Sequence, residues 1–169
     1  FSSNSMARLY WDSSANKPTA DNPWFFRDHQ GVRSGDGHWG SDWNHTSEHT
    51  QKMVDRILKY WITEFKFDGF RFDFTKGFSH FGYIGDDSDV WASTYNADRI
   101  GLLKRMVKNM RNNAPTGRNP IIIFEHLANS SENSELANYG ILQWSGVKHN
   151  EDIKEFQYGW NGKDIYNSG

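Results

Sequence analysis

Apolar and polar positions change rhythm along this chain, and each rhythm predicts an element. Met53, Val54, Ile57, Leu58, Trp61, Ile62 and Phe65 recur at helical spacing, while Glu48/Lys52 and Asp55/Lys59 supply i,i+4 charge pairs. The spacing predicts an amphipathic helix over 47–65, with Trp61 on its core-facing stripe. The run Phe67-Asp68-Gly69-Phe70-Arg71-Phe72-Asp73 is short, aromatic and partly alternating, and Thr75-Lys76-Gly77 breaks it, as expected of a buried strand. Ile100, Leu103, Met106, Val107 and Met110 predict a second helix that stops before Ala114-Pro115. Next, Pro120-Ile121-Ile122-Ile123-Phe124-Glu125 is apolar throughout, which suits a strand covered on both faces in a parallel sheet. Gly140 to Trp144 is a third candidate strand, and 150–156 a weak helical segment.

Residues 1–45 sustain no period and are punctuated by Asn16-Lys17-Pro18, Asp21-Asn22-Pro23 and a series of glycines, which reads as an elaborate loop region. A polar, Gly- and Asp-rich stretch over 77–93 forms a second loop. The expected order is therefore helix, strand, helix, strand, strand, helix. That order predicts an α/β architecture with parallel strands in one body, its βα units running over 46–169.

Composition narrows the function classes. Hydrophobic residues make up 36% and charged residues 24%, and no apolar run approaches the ~20 residues that cross a bilayer. A formal net charge of -2, with Lys and Arg scattered, gives no basic stripe for a phosphate backbone, so neither nucleic acid nor a membrane is an expected partner. Cysteine is absent, which removes disulfide and thiolate chemistry and leaves the compartment open. The aromatic share of 16% stands out against a mean hydropathy of -0.83. So many rings must fill a core or form platforms on which an apolar sugar face can stack. Trp11, Trp24, Trp39, Trp43, Trp91, Trp144 and Trp160 are the candidates for either use.

The chemistry-bearing candidates are Asp73 and Glu125, each directly after an apolar strand. Parallel α/β folds place their reactive groups at the carboxyl ends of strands. If the two strands are neighbours, as consecutive parallel strands usually are, their carboxylates start from backbones about 5 Å apart. Retaining glycosidases need a carboxyl separation of ~5–5.5 Å, because one group attacks carbon directly. Arg71, two residues before Asp73, lies on the same side of the strand and favours an ionised, nucleophilic Asp73. Glu125 follows large apolar residues and faces a second carboxylate, an environment suited to a general acid.

Those residues resemble the α-amylase family, glycoside hydrolase family 13. Gly69-Phe70-Arg71-Phe72-Asp73-Phe74-Thr75-Lys76 is similar to the family's Gly-Phe-Arg-x-Asp-x-x-Lys-His segment at the end of barrel strand four. Trp39-Gly40-Ser41-Asp42-Trp43-Asn44-His45 looks like the family's run into that strand, and Ile123-Phe124-Glu125 resembles its segment on strand five. The resemblance implies a (β/α)8 TIM-barrel segment of about strands four to six with their helices, preceded by a long loop region. It also implies a retaining glycosidase or transglycosidase acting on α-glucans, of α-amylase or branching type, with no required cofactor. Asp73 would be the nucleophile, Glu125 the acid/base, Arg71 the nucleophile's partner and Lys76 a sugar contact; separately from the resemblance, His126 beside Glu125 is a candidate substrate contact or a filler of the loop, and Trp39 a candidate substrate-stacking ring.

The match has departures. Gly77 stands where the family has His after Lys, and the family segments carrying Asn-His and the third carboxylate have no counterpart here. A whole barrel takes ~250 residues. The expectation is thus a fragment of a longer enzyme, inactive by itself, with exposed sheet edges that invite self-association. The rival reading is a carbohydrate-binding or structural piece without turnover. The long 77–93 stretch has room to shape an acceptor site and leans the first reading towards branching or transfer.

Two metal motifs compete weakly. His45-Thr46-Ser47-Glu48-His49 fits the His-x-x-Glu-His zinc pattern, but it lies at a helix start, where the positive end of the macrodipole disfavours a dication. Asp86-Asp87-Ser88-Asp89 offers hard oxygen ligands for calcium, although a solvated acidic loop is the commoner use.

Overall fold

The computed structural model describes residues 6–27, 42–78, 94–128 and 130–143. The expectations for Trp39, Trp91, Trp144, Trp160, the acidic run 86–89 and the segment 150–156 lie outside the described residues.

The described chain is α/β. In the N-terminal region a 3-10 turn at Met6–Tyr10 leads into a short antiparallel pair, β1 (Trp11–Asp12) and β2 (Lys17–Pro18). The Asp12 carboxylate closes their connection by accepting from the Ser14 and Ala15 N–H groups at 3.0 and 3.1 Å. A single antiparallel bridge joins Phe25 to Trp43, whose rings lie 4.3 Å apart. Apart from these pairings the described residues of this region are irregular, as their punctuation predicts.

α1 spans Glu48–Thr63 with Ser47 as N-cap, close to the predicted limits. Glu48 pairs with Lys52 at 2.8 Å, as expected. Asp55 does not pair with Lys59; it accepts from Arg105 at 2.7 Å and from Asn109 at 2.7 Å, because it faces the second helix. Trp61 also departs from expectation. It is 37% exposed and stacks among Tyr60, Phe65 and Phe67, whereas Leu58 and Ile62 enter the core. One residue step turns a helical side chain by about 100°, so a stripe this wide has only part of its width against the core.

Lys66, at φ 58°, turns the chain from α1 into β3 (Gly69–Phe72). α2 (Ala97–Asn113) follows, N-capped by Asn96, and β4 (Ile121–Phe124) comes next. α3 (Ser130–Asn138) then precedes β5 (Leu142–Gln143). This helix corrects the predicted direct passage from strand to strand. Its sequence is short and rich in Ser, Asn and Glu, and several of its inward positions are polar, so no apolar period announces it. It ends on Gly140 at φ 82°, with Ile141 N–H donating to Leu136 C=O at 3.2 Å and Gly140 N–H to Ala137 C=O at 2.9 Å. That pair of bonds is a Schellman cap, which requires a left-handed residue and so favours glycine.

The sheet order is β3-β4-β5, all parallel, with Phe72 opposite Phe124 and Phe124 opposite Gln143. Alternation sends Ile122 and Phe124 into one core with Leu58, Ile62, Leu103, Met106, Val107, Met110, Leu136 and Ile141, against which Phe70 and Phe72 pack. Arg71, Ile121 and Ile123 belong to the opposite face, away from that core.

Candidate functional site

The register that pairs Phe72 with Phe124 brings the next residues, Asp73 and Glu125, to the same carboxyl edge of the sheet. Glu125 N–H donates to Phe72 C=O at 3.0 Å and Thr75 N–H to Glu125 C=O at 2.9 Å, so the two strand ends remain bonded past the ladder. Arg71 reaches up from β3 and joins both acids. One terminal nitrogen donates to Asp73, and the other to Glu125 Oε2 at 2.7 Å. Glu125 Oε2 also accepts from Phe74 N–H at 3.3 Å. Asp73 is open to solvent (77% exposed) and Glu125 is largely covered (22%).

Hydrogen bonding from the Glu125 carboxyl, and then from Arg71, holds the Asp73 carboxyl below its ordinary pKa. Arg71, expected to serve Asp73 alone, bridges both.

Backbone strain marks both strand ends. Phe74 at φ 44° and Leu127 at φ 54° are bulky residues in the left-handed region, each costing about 1–3 kcal/mol unless the surroundings impose it. Between them lies a 3-10 turn, Thr75–Phe78. Lys76 in this turn is only 6% exposed. Its Nζ donates to Leu127 C=O at 3.3 Å and lies 5.1 Å from the Phe74 ring centre. In this conformation it therefore braces the two turns and does not project from the open edge.

His126, expected as a substrate contact, has 0% exposure and sits beneath the carboxylates. Nδ1 lies 2.8 Å from Thr75 Oγ1. Nε2 lies 3.3 Å from Glu132 Oε2, too poorly aligned to count as a hydrogen bond. Burial lowers the His126 pKa and keeps the ring neutral, despite the opposing pull of Glu132.

Sequence reasoning missed the ion pair below this ring. Arg99 in the first turn of α2 donates from Nε and Nη2 to the two carboxylate oxygens of Glu132 at 2.9 and 2.5 Å, with both side chains buried. Arg99 also donates to Lys76 C=O at 2.8 Å and Thr94 C=O at 2.9 Å. One signal was available: Arg99 stands four residues before Leu103 on the apolar stripe of α2, an unusual place for a charge.

The zinc pattern is dispersed. His45 stacks on Phe78 with centroids 4.0 Å apart, Glu48 is engaged by Lys52, and His49 points to solvent. Among the described residues no group of three or more His, Cys, Asp and Glu side chains is arranged to hold a metal ion. Among the described residues, too, no helix is long and apolar enough to cross a membrane.

The site is thus a carboxylate pair on adjacent parallel strand ends, bridged by one arginine. No family model and no curated protein matches the chain.

Proposed function

We propose that this chain carries the reacting carboxylates of a retaining glycosidase or transglycosidase of the α-amylase type, as a segment of a (β/α)8 barrel acting on α-glucans. The observation that carries the reading is the pairing itself: Asp73 and Glu125 at the ends of neighbouring parallel strands, with Arg71 joined to both. A barrel segment is also supported by the sheet. The core lies on one face only among the described residues, while Ile121 on the other is 54% exposed, and parallel sheets ordinarily bury both faces.

In the reaction, Glu125 gives its proton to the glycosidic oxygen as the bond to C1 breaks. Asp73 attacks C1 and forms a glycosyl ester. Glu125, now a carboxylate, takes a proton from the acceptor, whose oxygen displaces Asp73 and restores both acids. Water as acceptor gives hydrolysis, and a glucan hydroxyl gives transfer or branching.

A second reading, sugar binding without turnover, has one observation in its favour. One guanidinium donates to both carboxyl groups and so holds the ground beside them that an inserted sugar carbon would need for direct attack. A mechanism-based glycosyl inhibitor followed by peptide mass spectrometry separates the two. Covalent label on Asp73, lost in Asp73→Asn, supports the enzyme. Saturable glucan binding with no label on the chain supports the rival.

A further inference from the structure

Arg99, Glu132 and His126 are more deeply buried than the acids above them, and their contacts run to both strand-end turns. We propose that these three residues form a positioning unit that sets the spacing of Asp73 and Glu125, by tying the turns 74–77 and 125–128 to the first turns of α2 and α3. This deepens the carboxylate-pair reading and rests on it for the importance of the spacing.

The connections are specific. Arg99 leaves the first turn of α2, grips both oxygens of Glu132 in the first turn of α3, and uses its remaining terminal nitrogen on Lys76 C=O. His126 stands against Glu132 on one side and Thr75 Oγ1 on the other. Thr75 N–H holds Glu125 C=O. A displacement of Glu132 therefore reaches the backbone beside both acids through two routes, Arg99 to Lys76 and His126 to Thr75.

An apolar plug would stabilise this spot at least as well, since a buried ion pair gains little net free energy after desolvation. What the polar unit adds is direction. Bidentate guanidinium–carboxylate geometry tolerates little rotation, and it holds turns whose left-handed residues, Phe74 and Leu127, would otherwise relax. His126 and Glu132 act through the turns and not on substrate, so they are positioning residues.

The test uses the whole chain with 13C-labelled Asp and Glu carboxyl groups, and the titration midpoint of Asp73 is followed by NMR in Thr75→Val, His126→Gln and Glu132→Gln. A unit that sets the spacing predicts that each variant disturbs the placement of Glu125 and Arg71 about Asp73 and raises the Asp73 midpoint towards the ordinary carboxylate range. A purely structural role predicts a lower melting temperature with the midpoint unmoved, and that result overturns the proposal. Should Glu132→Gln fail to fold, Thr75→Val and His126→Gln decide, because neither strips charge from the buried ion pair. Covalent labelling is read on the parent chain, so its failure is separable. Absent label with a shifted midpoint removes the enzyme and leaves the positioning unit standing.

Discussion

Replacing Gly69 by alanine tests the closest backbone approach in the sheet. Gly69 begins β3 opposite Ile121, and a Cβ built there would run into the Ile121 carbonyl oxygen and lie 2.8 Å from its carbonyl carbon. A main chain cannot rotate aside as a side-chain tip can, so relief requires β3 and β4 to part at this end of their ladder. Overpacking of this kind costs about 1–3 kcal/mol. Parting the strands also threatens the 2.8 Å bond from Ile121 N–H to Asp68 C=O, worth a further ~0.5–1.5 kcal/mol. The expected loss is about 3 kcal/mol, a large share of the ~5–15 kcal/mol of a typical domain. Gly101 supplies the control: it lies within α2 with nothing near its absent Cβ, so Gly101→Ala should stabilise by up to ~1 kcal/mol. Urea unfolding followed by tryptophan fluorescence reads both. With a slope of about 2 kcal/mol/M, Gly69→Ala should lower the midpoint by roughly 1.5 M and Gly101→Ala raise it by up to ~0.5 M. A Gly69→Ala midpoint within ~0.25 M of the parent, with slope unchanged, would refute the close approach.

Removing the Glu132 charge leaves Arg99 buried without its partner, so Glu132→Gln should cost about 3–5 kcal/mol by calorimetry or urea; a loss below ~1 kcal/mol would contradict the burial. His45 has its pKa pushed down to about 4 from 6.5, chiefly by burial, so between those values the unfolded chain binds the extra proton. Stability should therefore fall by up to about 3 kcal/mol as pH drops from 6.5 to 4, with the lowered His126 acting in the same direction. His45→Gln should flatten that limb, and urea midpoints at pH 7 and 4.5 that fall equally in parent and variant would count against it. Asn96, whose side chain accepts from Arg99 N–H at 2.9 Å, caps the helix that carries Arg99. Asn96→Ala should cost about 1 kcal/mol, while Asn96→Ser retains most of it, as thermal melts of the two can establish.

Much of the fold is legible wherever burial is apolar and periodic. α1, β3, α2 and β4 lie within a few residues of the limits their hydrophobic rhythm predicts, since the same leucines, isoleucines and phenylalanines that set the period fill the core. Legibility fails where buried positions are polar. α3 turns Glu132 and Asn133 inward beside Leu136 and Ala137, and its glycine stop is readable only once a helix is suspected. Trp61 fails in the opposite sense. Periodicity says which side of a helix is apolar, but the partner's width decides how much of that side is covered.

The site divides along the same line. Asp73, Glu125 and Arg71 converge because strand order and the residue after each strand are both readable, and adjacency of parallel strands does the rest. Direction is not readable. A strand-end carboxylate can face solvent, a partner or the backbone, and the choice rests with the turn that follows. Here the turns are held from below by charges that no hydrophobic pattern announces. The sequence motif thus says which acids meet at the sheet edge, whereas the turns that carry them are bonded to Arg99 and Glu132, on helices outside the motif. Grafting the strand segments 69–76 and 121–126 alone into another parallel sheet should therefore reproduce the residues without reproducing the low midpoint of Asp73. Restoring that midpoint should require an arginine and a glutamate at the starts of the two following helices.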